Sequence, residues 1–331
     1  MGRAGHPLLH RPWPGGDDRH RHHLHRRYVY VYRRGGTGSG IRGAERQPVL
    51  RRGALRPRLR AQEALAQRWH GYGDGQIRFD ASIHAEYTSR SELWKWTADF
   101  AKANGLGMHV HISETRKEHA ECIQRHGKTP VQTLDRYGVW DVRGIAAHCV
   151  YTTAEDWAIL AAKGVSAVHN PCSNLKLGSG IAPVPAMKAA GVNVCLGTDG
   201  VSSNNNHDMF EEMKLAAILH NGAACDPLAL GSWDALRMAT VNGAAALGRK
   251  TGRIEPGYDA DLILVDFSHL NLFPCHDPVS NLVYAAHGGD VCMNMARGRV
   301  IYKDGDFLTI DLEQVKREVA NYAVPLLFGT K

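Results

Sequence analysis

Apolar and polar positions change their rhythm at Gln76. Beyond it, short apolar runs alternate with amphipathic stretches at intervals of about twenty to forty residues, the pattern of βαβ units around a parallel sheet. Five strands are predicted, over 77–85, 107–113, 144–149, 165–170 and 192–198. Between them, residues 91–103 set Leu93, Trp96 and Phe100 on one apolar stripe and stop before Gly105, which predicts a helix. Thr129 and Pro130 form an N-cap and first-turn pair opening another helix, and Thr153 opens one over 154–163 that Gly164 closes. Downstream, 252–266 and 296–307 alternate as strands broken by glycine turns. Residues 1–60 show no sustained period of 2 or 3.6 and few apolar residues outside Tyr28 to Tyr32. Such a stretch cannot offset its ordering entropy by burial.

Charge sharpens that division. Residues 1–60 hold fifteen Arg, no Lys and three acids, a local charge of +12, which leaves 61–331 at −5 of the overall +7. The basic character therefore belongs to one segment and not to the fold. Arginine without lysine, beside six histidines, is what GC-rich DNA gives when read in the wrong frame. The segment is expected to reflect a frameshifted or misassigned gene start, which resequencing the locus would check. An arginine-rich nucleic-acid arm is the competing reading, weakened by the lack of interleaved aromatics beyond Tyr28, Tyr30 and Tyr32.

The predicted strands share one feature: a polar residue closes each apolar run, His84, His111, His148, His169 and Asp199 in turn. In a (β/α)8 barrel those ends face the active site. A single strand-end histidine is ordinarily a satisfied structural residue, but repetition on five successive strands argues for a site. Imidazole and carboxylate suit a catalytic zinc that keeps one position for water. Glu114, three residues after His111, starts the turn at the same mouth, where a carboxylate can carry a proton from water to a leaving amine.

The runs HVHISET (109–115), AAHCV (146–150), HNPCSNLKLGSGIAPV (169–184) and LGTDG (196–200) together resemble the amidohydrolase superfamily, specifically its 5'-methylthioadenosine/S-adenosylhomocysteine deaminases. The resemblance spans roughly 64–331. It implies an α/β fold, the metal-dependent-hydrolase (β/α)8 TIM barrel, here incomplete with strands 4 to 8 recognisable, plus part of a small flanking β-sandwich. It implies His111 and Asp199 as metal ligands, and Glu114, His148 and Asp199 as catalytic residues: Glu114 as proton shuttle, His148 orienting the attacking water, Asp199 as base. It implies substrate contacts from His84, Glu114 and Asn174, with loop 176–181 shaping the purine pocket. The cofactor implied is one divalent metal, Zn2+ with Fe2+ as alternative, and the reaction is hydrolytic deamination of an adenine nucleoside thioether to the inosine analogue and ammonia. By period 2, His109 shares a strand face with His111 and reads as structural, while His169 stays open between a supporting and a core role.

The division expected is 1–62 anomalous, 63–250 partial barrel with the metal site, 251–310 sandwich portion, and 311–331 C-terminal helix and tail. The family's barrel begins with a strand ending in a His-x-His pair that supplies two further ligands. The spacings in HRHHLH (20–25) follow no apolar strand and lie too close to residue 77 to serve, so the polypeptide is expected to bind zinc weakly, if at all, and to be inactive. The alternatives are another amidohydrolase, a guanine or cytosine deaminase or an s-triazine chlorohydrolase, or a non-catalytic fragment. A cytidine-deaminase ligand set fails: His84-Ala85-Glu86 and Pro171-Cys172 mimic it, but Leu175 stands where the last Cys belongs. Seven scattered cysteines without a CxxC pair, no membrane-length apolar run and no secretory signal place the chain in the cytoplasm. A small-molecule nucleoside, not nucleic acid or membrane, is the expected partner, with a homo-oligomer left open.

Overall fold

The computed structural model describes Leu59 and residues 63–329. Apart from Leu59, the expected anomalous segment 1–62, including the His-x-His spacings at 20–25, lies outside the described residues. Among the described residues the predicted alternation forms a five-stranded parallel sheet of sequential order: β1 (Ala81–Ser82), β2 (Met108–Ile112), β3 (Gly144–His148), β4 (Ser166–His169) and β5 (Asn193–Leu196). It is an open portion of an α/β barrel. Register brings the strand ends together: Ile112 pairs with His148, and His169 with Leu196. The residues that leave each strand therefore gather along one sheet edge.

Two predictions are corrected. The first strand was expected over 77–85, yet only Ala81–Ser82 pairs as strand. Among the described residues it has a neighbour on one side only, and Phe79 is drawn off the ladder by its N–H donating to His70 Nδ1 at 3.2 Å. The helix Ser91–Ala103 keeps its expected bounds, but of the expected stripe only Phe100 is buried, with Trp94, Thr97, Ala98 and Ala101, while Leu93 and Trp96 lie half-buried. Alanines at 98 and 101 let the helix approach the sheet closely, while Trp96 stacks on Phe100 at 5.0 Å along the flank.

The helix starts follow local chemistry. Thr129 Oγ1 accepts from Gln132 N, and Thr153 Oγ1 from Asp156 N, each capping its helix. Asp156 is fully buried and takes a second hydrogen bond from Thr129 Oγ1, so the two caps interlock. Thr129→Ala removes a cap and a partner of a buried carboxylate together. We expect it to destabilise the fold by about 2 kcal/mol, read as a lower denaturant midpoint in equilibrium unfolding; a change within a few tenths would contradict the interlock.

At the opposite end of the sheet, where strands begin, Asp80 Oδ1 accepts from Arg143 Nη2 at 2.6 Å and from Gly107 N at 3.0 Å. Arg143 Nη1 reaches on to the Ala246 carbonyl at 2.7 Å. This latch ties the starts of β1, β2 and β3 to the helix Val241–Ala246.

A second, antiparallel sheet follows: β6 (Leu262–Val265), β7 (Val291–Ala296), β8 (Arg299–Lys303) and β9 (Asp306–Phe307). Its two tight turns are legible in sequence. Arg297-Gly298 and Asp304-Gly305 all take positive φ, as two-residue hairpin loops require. The chain then runs through helical residues Leu312–Phe328. Among the described residues no helix is long and apolar enough to cross a membrane.

Candidate functional site

At the strand ends the backbone leaves its ordinary conformations. Ser113, His148, Cys149 and Asp199 all take positive φ, between 48° and 73°. Each costs of order 1–3 kcal/mol for a residue with a Cβ, strain that the surrounding structure must hold and that commonly marks functional sites. Here it turns His148 and Asp199 away from strand geometry. Gly197 answers a related need: a Cβ there would lie 2.5 Å from Asn170 Oδ1, so only glycine lets Asn170 lie beside the site.

The imidazoles form a contiguous cluster. The His111 ring lies 4.7 Å from His84, 5.7 Å from His109 and 5.4 Å from His148, centroid to centroid. His111 Nδ1 is 2.7 Å from the His84 carbonyl oxygen. A carbonyl only accepts, so Nδ1 carries the proton and Nε2 keeps its lone pair for a metal. His148 is buried, with Nδ1 2.8 Å from Asn174 Oδ1 and 3.3 Å from Asn170 Nδ2. The closer contact again leaves Nε2 as the free nitrogen, and it lies 3.7 Å from Glu114 Oε2. Desolvation holds His111 below the ordinary imidazole range, and His148 adds to this. His109 is driven to about 3 by burial and then by His111, so it stays neutral.

Glu114 is positioned from behind. Glu118 sits in the first turn of the helix Arg116–His126 and accepts from Ser113 N at 2.9 Å and Glu114 N at 2.8 Å. Burial raises the Glu118 carboxyl despite those bonds. Asp199 accepts from Ser173 Oγ and from its neighbour Gly200 N, both at 2.6 Å. Desolvation opposes its ionised form, but these two donors, with the nearby His148 and His111 imidazoles, outweigh it and hold the carboxyl below its usual range.

His84, His111, Glu114, His148, Asn174 and Asp199 thus converge on one sheet edge. His84 is exposed beyond the end of β1, and Asn174 is buried behind His148. His169 turns to the core: it is buried, with Nε2 3.3 Å from His220 Nε2 of the helix Met209–Ala224. Sequence reasoning missed Glu118, Ser173 and Asn170. Thr115 with Glu118 three residues on was a legible capping signal, and the other two lie inside a run already singled out.

Two protein donors, the His111 imidazole and the Asp199 carboxylate, suit zinc in kind but supply half of a tetrahedral shell. Among the described residues, the only trio of His, Cys, Asp or Glu whose ligand atoms all lie within 4.8 Å of one another is a different one, Glu86, Cys122 and His126.

The buried His169–His220 pair bears on acid stability. Burial lowers the two to about 3 and about 4, so between 6.5 and those values the unfolded chain binds protons that the folded pair refuses. Stability is then lost as pH falls through that window. Glu212, pushed by burial to about 7, acts in the opposite sense where the windows overlap. A variant comparison isolates the histidine: His220→Leu should reduce the slope of stability against pH below 6.5 by up to about 1.4 kcal/mol per pH unit. Equal slopes in denaturant titrations of the two proteins would contradict the lowering of His220 by burial.

Comparison with known proteins bears on the family and the fold. The model of the amidohydrolase family matches residues 29–301, starting inside the segment that patterning sets apart. A 5-methylthioadenosine/S-adenosylhomocysteine deaminase of Thermoanaerobacter pseudethanolicus is 41% identical over 298 residues, covering 87% of this chain and 68% of the relative. A 5'-deoxyadenosine deaminase of Methanothermobacter thermautotrophicus is 43% identical over 273 residues, covering 82% and 63%. Among solved structures, an adenosine deaminase from Xanthomonas campestris with bound zinc superposes with a TM-score of 0.77 at 34% identity, covering 81% of this chain and 61% of that one. The chain belongs to the amidohydrolase family and, within it, to the 5-methylthioadenosine/S-adenosylhomocysteine deaminase family. It spans between 61% and 68% of the length of these three proteins.

Proposed function

We propose that the strand-end cluster deaminates an adenine nucleoside whose 5' position carries a thioether, S-adenosylhomocysteine or 5'-methylthioadenosine, giving the inosine analogue and ammonia. The observation that carries this reading is the meeting of His111, His148, Glu114 and Asp199 at one sheet edge, with Glu114 Oε2 3.7 Å from His148 Nε2. The names of the relatives support it, since all four substrates they specify contain an adenine ring.

His111 Nε2 and the Asp199 carboxylate would hold a divalent metal, zinc in the first place and iron as the alternative. When bound, such an ion makes water a competent nucleophile at neutral pH. The rest falls to the chain. His148, its Nδ1 fixed against Asn174, orients the water that adds to the amino-bearing ring carbon. Asp199 takes a proton as base. Glu114, anchored at its backbone by Glu118, takes a proton from the attacking water and passes it to the departing amine. His84 and Glu114 contact the nucleoside, and Asn174 shapes the pocket through His148. Ser179 Oγ, in loop 176–181, reaches Glu114 Oε1 at 3.4 Å and so links that loop to the proton-transfer group.

The division into 63–250 carrying the site, 251–310 flanking it and 311–331 as tail belongs to the same proposal. So does a cytoplasmic location, with which the seven free cysteines accord. The test is ammonia release with zinc supplied, from a panel of S-adenosylhomocysteine, 5'-methylthioadenosine, adenosine, guanine, cytosine and an s-triazine. Turnover confined to the adenine nucleosides supports the reading, and preference for any of the last three overturns it.

A further inference from the structure

A cavity of about 430 Å3, none of whose lining residues belongs to the strand-end cluster, opens beside the helix Arg116–His126. Glu86 and His126 line it, with Trp94 and Tyr137. One helical turn before His126 lies Cys122, fully buried on the same helix face. The ligand atoms of Glu86, Cys122 and His126 all fall within 4.8 Å of one another. We propose that these three side chains form a second metal site, for a thiophilic divalent cation of the zinc type, entered from the cavity.

The donor set argues for this class of ion. One sulfur, one imidazole nitrogen and one carboxylate oxygen is a borderline-soft combination that hard cations such as magnesium or calcium do not seek. Three protein donors with the fourth position facing a cavity is an arrangement zinc accepts. The imidazole is already held: its ring stands edge-on to Trp94 at 5.8 Å, and Nε2 lies 2.7 Å from Glu86 Oε1. Glu86 is 2% exposed, a buried carboxylate whose desolvation an adjacent cation offsets.

Two features of the metal-free cluster must give way, and both can. Glu86 is paired with Arg125, whose Nε lies 3.3 Å from Oε1 and whose Nη2 contacts Oε2. Arg125 has a second acid, Glu121, at 3.6 Å, so its charge stays neutralised when Glu86 shares an oxygen with the ion. The Cys122 thiol, pushed by burial to about 12, is protonated without metal. On binding, the S–H bond breaks, the proton passes to solvent and a sulfur–metal bond forms, with no change of oxidation state. His126 moves its proton from Nε2 to Nδ1 and offers the Nε2 lone pair. The ion would clamp the turn Glu86–Thr88 to the helix that follows Glu114.

Cobalt(II), a spectroscopic stand-in for zinc, tests the site on the full chain in a buffer with a non-thiol reductant. The expected result is a sulfur-to-cobalt charge-transfer band in the near ultraviolet whose saturated intensity corresponds to one thiolate–cobalt bond per chain. The band should vanish in Cys122→Ser and persist in Cys225→Ser and Cys275→Ser, which alter exposed thiols. It should also persist in His111→Ala and Asp199→Asn, which alter the strand-end cluster. His126→Gln, at a side chain 31% exposed, decides the matter if the buried serine prevents folding. It should keep the far-ultraviolet circular dichroism of the parent and weaken cobalt affinity by about tenfold or more. No band in the parent, a band that survives Cys122→Ser, or unchanged affinity in His126→Gln would each overturn the proposal.

Discussion

Replacing Glu114 by glutamine lowers kcat/KM for nucleoside deamination, relative to the turnover that saturating zinc elicits from the parent, by about a hundredfold to ten-thousandfold and leaves the fold intact. The magnitude follows from what the amide loses. Glutamine keeps the shape and the hydrogen bond that Ser179 Oγ donates at 3.4 Å, but it has no proton to carry between water and the leaving amine. The backbone at Glu114 is fixed by Glu118 and not by its own side chain, so the substitution does not disturb the turn. The expected split is a large loss in kcat with a smaller change in KM. Steady-state ammonia release on both proteins reads it, and an activity within tenfold of the parent would remove Glu114 from the chemistry.

The second large effect lies at the other end of the sheet and concerns stability alone. Asp80→Ala should cost about 3 kcal/mol, at the lower end of the range for breaking a buried ion pair, because Arg143 keeps some access to water. The Asp80 side chain is 3% exposed, and its loss leaves both the guanidinium and the Gly107 N–H without their carboxylate. Repacking offers little relief, because Arg143 fills the space beside Gly107: a Cβ on that glycine would sit 2.3 Å from Nη2. Equilibrium unfolding should show a midpoint well below the parent's, while turnover per folded molecule stays the same. Loss of turnover in a folded Asp80→Ala protein would break the separation between the stabilising and the reacting ends of the strands.

What was legible in the sequence was whatever neighbouring residues decide among themselves. Thr129 and Thr153 cap the helices that they announce, and Asp304-Gly305 makes the turn its composition demands. The strand-end residues were legible because each follows its own apolar run. The phase of the helix Ser91–Ala103 was not, since the choice between Trp94 and Trp96 depends on which side meets the sheet. Nor was the length of β1, which depends on how many neighbours a strand has. Ser173 reaches Asp199 across 26 positions, and Glu86 reaches His126 across 40. Contacts of that span leave no local trace.

Convergence of an imidazole and a carboxylate on one ion is tested most directly by diffraction from zinc-soaked crystals of the full chain, with anomalous scattering recorded at the zinc edge. Zinc bonded to His111 Nε2 and to an oxygen of Asp199, and lost from that position in His111→Ala, is the expected result. Zinc absent from the strand ends at saturating concentration, or bound there to neither residue, would contradict it.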